Sequence, residues 1–316
     1  MVNLKIDIPN GFLDEEVRCG YTVSSQMKEV WSVQLDLFAE FDRVCKKHDI
    51  KYVASGGTML GAVRHHGYIP WDDDMDLMMM RDQYEKLCRV APVEFKHPYF
   101  FQTEDTEPTA RRWFARLCNS ETTGIQKRYL NYHLQRNQGI FIDIFPMDNV
   151  ADDKRVYQRQ LEKFMKCTKL YYRLFAIEYS YWPDNDSIIK KIIKQSAHFI
   201  LGNLIHSTGL THKMYKKVED ICKLNNCCKT ELVSLLSFQY MNLGHAIHTT
   251  DMDNLIYLDF EFMKMPVIAN YDEHLHRKYG DYMKPNHNPN FHGDVIFDTS
   301  TSYKEYSKSH ALNRQK

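Results

Sequence analysis

YVASGGTMLGAVRHHGYIPWDDDMDLMMM, residues 52–80, decides the fold. A short apolar run ends in Ser55, Gly56, Gly57 and Thr58, a loop follows with Arg64, His65 and His66, and four aspartates then fall among five residues at Asp72, Asp73, Asp74 and Asp76. Leu77 to Met80 reads as a buried strand with period-two side chains, a pattern that puts Asp74 and Asp76 on one face. Carboxylates held side by side repel, and a divalent cation between them and a polyphosphate keeps both ionised. Mg²⁺ suits such oxygen donors best, with Mn²⁺ the alternative. The glycine pair lets backbone approach a phosphate at a helix start, where N–H groups are exposed. Arg64 and His65 can add positive charge to the same phosphates. Taken singly, a Gly-Gly pair is a turn and an acidic run is a solvated loop or a helix cap. Their order, with an apolar strand behind the acids, points to chemistry.

The flanking sequence supplies a scaffold for that segment. Residues 1–23 read as an arm with a short strand at Leu4–Ile8. Ser24 or Ser25 caps a helix to about His48, because Val30, Gln34, Leu37, Phe38, Phe41, Val44 and Cys45 recur at helical spacing. Lys51–Ala54 reads as a strand, Met59–His65 as a short helix, Arg81–Val90 as an amphipathic helix, and Tyr99–Gln102 and Phe114–Asn119 as strands. In Gly139–Asp148, GIFIDIFPMD, an apolar run surrounds one carboxylate, Asp143. A buried aspartate needs a cation or a donor network, and a helix cap is the structural alternative.

From Asp152 to about Asn225 the pattern is helical, with breaks near Pro183 and Gly209. Between Lys154 and Lys217 thirteen Lys and Arg face four Asp and Glu, a net charge of +9. Tyr171, Tyr172, Phe175, Tyr179, Tyr181 and Trp182 are interleaved with those cations, and IIKKIIKQSAHFILGNLI is an amphipathic helix with lysines on one side. The combination suits an anionic membrane surface, or else a solvated basic face over an ordinary helical core. Glu231–Ser237 and Phe260–Val267 then read as strands, and Tyr271–Tyr279 as a helix ended by Gly280. The polar residues from about His292 are expected to be loosely ordered.

Across the chain, 316 residues with 43% hydrophobic content can bury a full core, and 41 basic residues against 41 acidic ones argue against a dedicated nucleic-acid binder. The start lacks a basic region followed by an apolar core, and no apolar run reaches about eighteen residues, so a cytoplasmic protein, at most peripheral at the inner membrane face, is expected. The eight cysteines are scattered as reduced thiols would be. Cys222, Cys227 and Cys228 lie close together but lack a second pair at zinc spacing.

The run GGTMLGAVRHHGYIPWDDDMDL resembles the signature of the LicD family of phosphotransferases, which move phosphocholine from CDP-choline to sugar hydroxyls of bacterial surface glycans. Fukutin-type ribitol-phosphate transferases are more distant relatives. FEFMKMPVIANYDEHLHRKYGDYMKPN resembles the same family's C-terminal signature. The resemblance implies an α/β (α+β) fold with a nucleotidyltransferase-like mixed-sheet core and a helical insertion. It divides the chain into an arm (1–23), a catalytic core (24–150), a basic helical insertion (151–226), a part completing the core (227–290) and a polar tail (291–316). It makes Asp143 the third metal carboxylate beside Asp74 and Asp76, leaves Asp143 or Asp72 as proton acceptor, and adds Arg116 to the phosphate contacts of Gly56, Gly57, Thr58, Arg64 and His65. Sixteen residues separate Gly57 from Asp74, longer than the wider superfamily allows. In that loop Tyr68 and Trp71 offer faces for a quaternary ammonium. A CDP-linked donor, a lipid-linked glycan acceptor and peripheral membrane contact are the implied partners. The alternatives are transfer of phosphoethanolamine, ribitol phosphate or glycerol phosphate, nucleotidyl transfer, or an inactive nucleotide-binding scaffold.

Overall fold

The computed structural model describes residues 1–127, 136–180, 187–237, 243–285 and 295–313, and they fall into two compact units. The first takes Met1–Asn131, Gln135–Met147 and Ile247–Lys316, and the second centres on Asp148–Ala246. The first opens with a hairpin, β1 (Glu16–Arg18) and β2 (Tyr21–Val23), and continues through α1 (Ser25–Lys47), β3 (Val53–Ala54), α2 (Gly56–Arg64), β4 (Asp76–Met80) and α3 (Arg81–Glu94). Then come β5 (Tyr99–Gln102), β6 (Ala115–Asn119), β7 (Thr123–Gln126) and β8 (Ile140–Asn149). The second unit holds α4 (Lys154–Glu178), α5 (Ile188–Ala197), a π-helical stretch (His198–Gly202), α6 (Asn203–Thr208), α7 (Leu210–Cys222) and β9 (Leu232–Ser234). The chain returns to the first unit for β10 (Ile247–His248), β11 (Leu255–Phe260), β12 (Met263–Ile268), α8 (Tyr271–Tyr279), β13 (Val295–Asp298) and α9 (Tyr303–Asn313).

Helix α1 forms where its caps and apolar spacing place it. Ser24 Oγ accepts the Met27 N–H at 3.2 Å, and Trp31, Leu35, Phe38 and Phe41 are fully buried. Each such ring or branched chain contributes about 1.5–3 kcal/mol by leaving water. The sheet of this unit runs β5-β6-β8-β4-β3 and is mixed: β4 and β8 are parallel, and the other pairs are antiparallel. Its register sets Gln102, Arg116, Asp143 and Asp76 side by side on four successive strands. Ser55, just past β3, continues the row by donating its N–H to the Asp76 carbonyl at 2.9 Å. One polar rung therefore crosses a sheet whose other positions are largely apolar.

The second unit is helical apart from its pairing of Asp148 and Asn149 with β9. Asp153 caps α4 by accepting the N–H groups of Arg155 and Val156. Tyr171 and Phe175 on α4 turn inward and are fully buried, with Tyr171 meeting Tyr215 of α7 at 6.2 Å between ring centres. These two interleaved aromatics are thus core residues, because α4 buries one face against α7. Tyr181, Trp182 and Pro183 lie outside the described residues. Gly209 breaks the helix between α6 and α7 with φ of 61°.

Other expectations change with the structure. Leu4–Ile8 is not a strand; instead the Lys5 and Ile6 N–H groups donate to the Asp36 carboxylate. The strand expected at Phe260–Val267 is a two-stranded hairpin, turned at Glu261 with φ of 53°. Residues 295–313 are built into the first unit: β13 pairs with β7, and α9 follows. Among the described residues no helix is long and apolar enough to cross a membrane.

Candidate active site

The acids and the glycine turn meet at one end of the first unit's sheet. Gly56 takes φ of 52° at the start of α2, a conformation that disfavours any side chain. A Cβ there would lie 3.6 Å from both Asp76 Oδ2 and Lys278 Nζ, and one on Gly57 would lie 2.7 Å from Asp72 Oδ2. The turn is therefore glycine because carboxylates crowd it. Thr58 Oγ1 accepts the Asp76 N–H at 2.8 Å, which fixes the strand start to α2.

Asp72, Asp73 and Asp74 each offer a carboxylate oxygen within 4.8 Å of the others. Burial first and the Asp74 carboxylate second push the Asp72 carboxyl well above the ordinary range, and a hydrogen bond to Asp74 adds to the rise. Asp76 is raised well above that range too, by burial, then by Asp74 and then by Asp143, its neighbour across the parallel ladder. The cluster is an excess of buried negative charge with hard oxygen donors, which is the donor set a Mg²⁺ or Mn²⁺ ion fits. Cys222 is buried whereas Cys227 and Cys228 are exposed, and among the described residues no cysteine-based metal cluster forms.

Four of the residues read from sequence stand differently. Arg116 is neither on the surface nor free for a phosphate: its Nε and Nη2 donate to the two oxygens of Asp143 at 2.5 and 3.1 Å, and its guanidinium lies 3.5 Å from the centre of the Phe141 ring. Asp143 thereby has the donor network that a buried carboxylate needs. His65 carries no charge at neutral pH, since burial, Arg64, Arg18 and His66 lower its pKa to about 4; its Nε2 accepts from Arg64 Nε at 2.8 Å. Arg64 also donates to the Tyr282 carbonyl at 2.6 Å. Tyr68 offers no face to a ligand. Its ring is 2% exposed, stacked on Trp31 at 4.6 Å and edge-on to Phe260 at 4.9 Å. Trp71 is only half-buried, with Tyr21 and His65 edge-on at 6.0 and 6.2 Å.

Several residues that shape the site were missed. On α1, Trp31 Nε1 donates to the Asp72 carbonyl at 3.0 Å and Gln34 Nε2 to the Asp73 carbonyl at 2.9 Å, so the helix grips the acidic loop by its backbone. A polar Gln34 within an apolar helical stripe was the available signal. Glu261 holds the preceding loop: it accepts the Tyr68 N–H at 3.0 Å and a two-pronged pair from Arg18 at 2.6 and 2.8 Å. On α8, burial lowers the Lys278 ammonium to about 8 against the pull of Asp76. Tyr279 is raised by burial, then by Asp76, Asp72 and Asp74. Both belong to the YGDYM-containing run, whose chemistry no spacing in the sequence reveals.

The arrangement can hold cation and phosphate together: clustered carboxylates, a glycine turn opening a helix, and one tunable ammonium. Residues 49–179 match the family model described as LicD/FKTN/FKRP, nucleotidyltransferase domain. The chain is 27% identical over 269 residues to the lipopolysaccharide cholinephosphotransferase LicD of Haemophilus influenzae, covering 82% of this chain and 91% of that protein. It is also 38% identical over 79 residues to an uncharacterized protein of Rickettsia prowazekii, covering 25% of this chain and 28% of that one.

Proposed function

We propose that the chain is a phosphotransferase of the LicD family, moving phosphocholine from CDP-choline to a sugar hydroxyl of a surface glycan or its lipid-linked precursor. The match of residues 49–179 to the family model and the 27% identity to a lipopolysaccharide cholinephosphotransferase support this reading. The observation that carries this reading is the crowding of Asp72 and Asp76 against the Gly56–Gly57 turn, both carboxyls raised by burial and then by Asp74 beside them. Such a concentration of like charge costs stability unless a ligand uses it.

In the proposed mechanism Asp74, Asp76 and Asp143 would hold Mg²⁺ or Mn²⁺, which would supply charge neutralisation at the donor's pyrophosphate. The N–H groups at the start of α2 bind a phosphate oxygen, because Gly56 and Gly57 leave room for close approach. Lys278, beside Gly56, binds the same phosphates and balances charge on the departing CMP. Asp72 takes the proton of the attacking sugar hydroxyl. Its carboxyl is raised by burial and then by Asp74, which favours holding a proton, whereas both oxygens of Asp143 accept from Arg116. Arg116 is a positioning residue that aims Asp143 along the rung. The half-exposed Trp71, with Tyr21 beside it, meets the quaternary ammonium, which cannot donate hydrogen bonds and is recognised by ring faces.

The test is release of CMP from CDP-choline, CDP-ribitol and CDP-glycerol by purified protein, with Mg²⁺ or with a chelator. Metal-dependent release fastest from CDP-choline is the expected result. Faster turnover of CDP-ribitol or CDP-glycerol overturns the donor assignment, and turnover indifferent to chelation overturns the metal assignment. Trp71→Ala should raise KM for CDP-choline more than it weakens CMP binding.

A further inference from the structure

We propose that the α5–α6 face of the second unit docks on an anionic lipid surface. Helix α5 buries none of its residues. Ile188, Ile189, Ile192, Ile193, Phe199 and Ile200 are each 58–81% exposed, an apolar surface unlike the isolated exposed leucines that any protein carries. At about 100° per residue the four isoleucines of α5 fall within an arc of roughly 140°, and Lys190 and Lys191 flank that arc on either side. This is the arrangement of a helix lying in a membrane interface: apolar groups enter the acyl boundary while long cationic side chains reach up to the headgroups.

Charge selects the occupant. From Ile188 to Thr208 the chain contains three lysines and no aspartate or glutamate. A second copy packed on this face about a twofold axis would set lysines against lysines with no acid to separate them, whereas anionic headgroups complement them. The wider segment Lys154–Lys217, at +9, extends the same field. Of the aromatics expected as anchors on α4, Tyr171 and Phe175 are not part of the surface, since both are core. The inference rests on the proposed function only for its purpose, bringing the enzyme to a lipid-linked acceptor.

The experiment is co-sedimentation of the whole protein with sucrose-loaded vesicles of phosphatidylcholine, alone or with phosphatidylglycerol. Binding should require phosphatidylglycerol and weaken at least about tenfold between roughly 0.05 and 0.5 M salt. The double variants Phe199→Ser/Ile200→Ser and Lys190→Glu/Lys191→Glu should each lower it about tenfold or more, with CMP release from a soluble donor unchanged. Absence of binding, or binding indifferent to both variants, overturns the proposal. So does concentration-dependent self-association that Phe199→Ser/Ile200→Ser abolishes, which would assign the face to a second copy. Lost vesicle binding with intact CMP release removes the surface and leaves the activity; intact binding without CMP release does the reverse.

Discussion

The two units break the ordinary distribution of side chains in opposite directions. In the first, buried Asp143 and Arg116 and half-buried Asp76 stand in a row across a sheet; in the second, isoleucines and a phenylalanine face outward along a helix. Each departure has a cost, desolvated charge in one case and hydrated apolar surface in the other. On the proposed function and the proposed docking, ligands of two kinds offset these costs, a hydrophilic one at the acids and an amphipathic one at the helix. Folding alone needs neither feature, so substitutions at the two places should dissociate function from stability.

The largest effect is expected at the acids. Asp76→Asn should lower metal-dependent CMP release by about a thousandfold while the fold persists. Its stability signature has a definite sign. Asp76 titrates higher in the folded protein than in the unfolded chain, so its favourable contribution is full below the unfolded carboxylate pKa of about 3.9 and is lost as pH rises through the raised folded value. Metal-free Asp76→Asn should therefore melt higher than the parent at pH 8, and the gap should close toward pH 4. A lower melting temperature at pH 8 would make Asp76 a structural residue and erase the contrast.

Arg116→Ala should be worse for the fold than any acid substitution, destabilising by about 3–5 kcal/mol in chemical denaturation, because it strands the Asp143 carboxylate without its two donors. Arg116→Lys keeps charge but loses the fork, and should recover only part of that loss. Gly57→Ala forces a methyl to within 2.7 Å of Asp72 Oδ2, so turnover should drop about a hundredfold with a stability cost of about 1–3 kcal/mol. Lys278 gives a smaller, pH-dependent effect. With its pKa lowered to about 8, activity should decline as pH rises through that value, and Lys278→Arg should move the decline upward because a guanidinium stays protonated. The smallest effect belongs to the other unit: Phe199→Ser should change stability by less than about 0.5 kcal/mol, since a residue 81% exposed leaves no cavity.

How far the sequence foretold this follows from where the information sits. Local signals were readable: the Ser24 cap, the glycine turn, the strand behind the aspartates and the apolar run around Asp143 all depend on near neighbours. Asp76 and Asp143 do become neighbours, because both lie on strands whose apolar patterns allow burial on both faces. What escaped depends on contacts made across the chain. Nothing near Arg116 announces a pair with Asp143, twenty-seven positions on, and nothing near Tyr68 announces the stack with Trp31 that removes its ring from solvent. His65 reads as a cation until its burial beside Arg64 is known. Tyr171 and Phe175 of α4 read as surface aromatics because helical spacing cannot say which side α7 will cover. Lys278 and Tyr279 come to the aspartates from some two hundred residues away, a placement that only the fold reveals.

Direct binding of Mn²⁺, followed by loss of its free electron-spin signal, tests the central claim most closely. The parent protein should bind the ion, bind it more tightly with CDP-choline present because the pyrophosphate completes the oxygen donors, and lose both properties in Asp74→Asn and Asp76→Asn. Mn²⁺ affinity that is the same in those variants as in the parent, with or without CDP-choline, would contradict the assignment of the aspartate cluster as the seat of the chemistry.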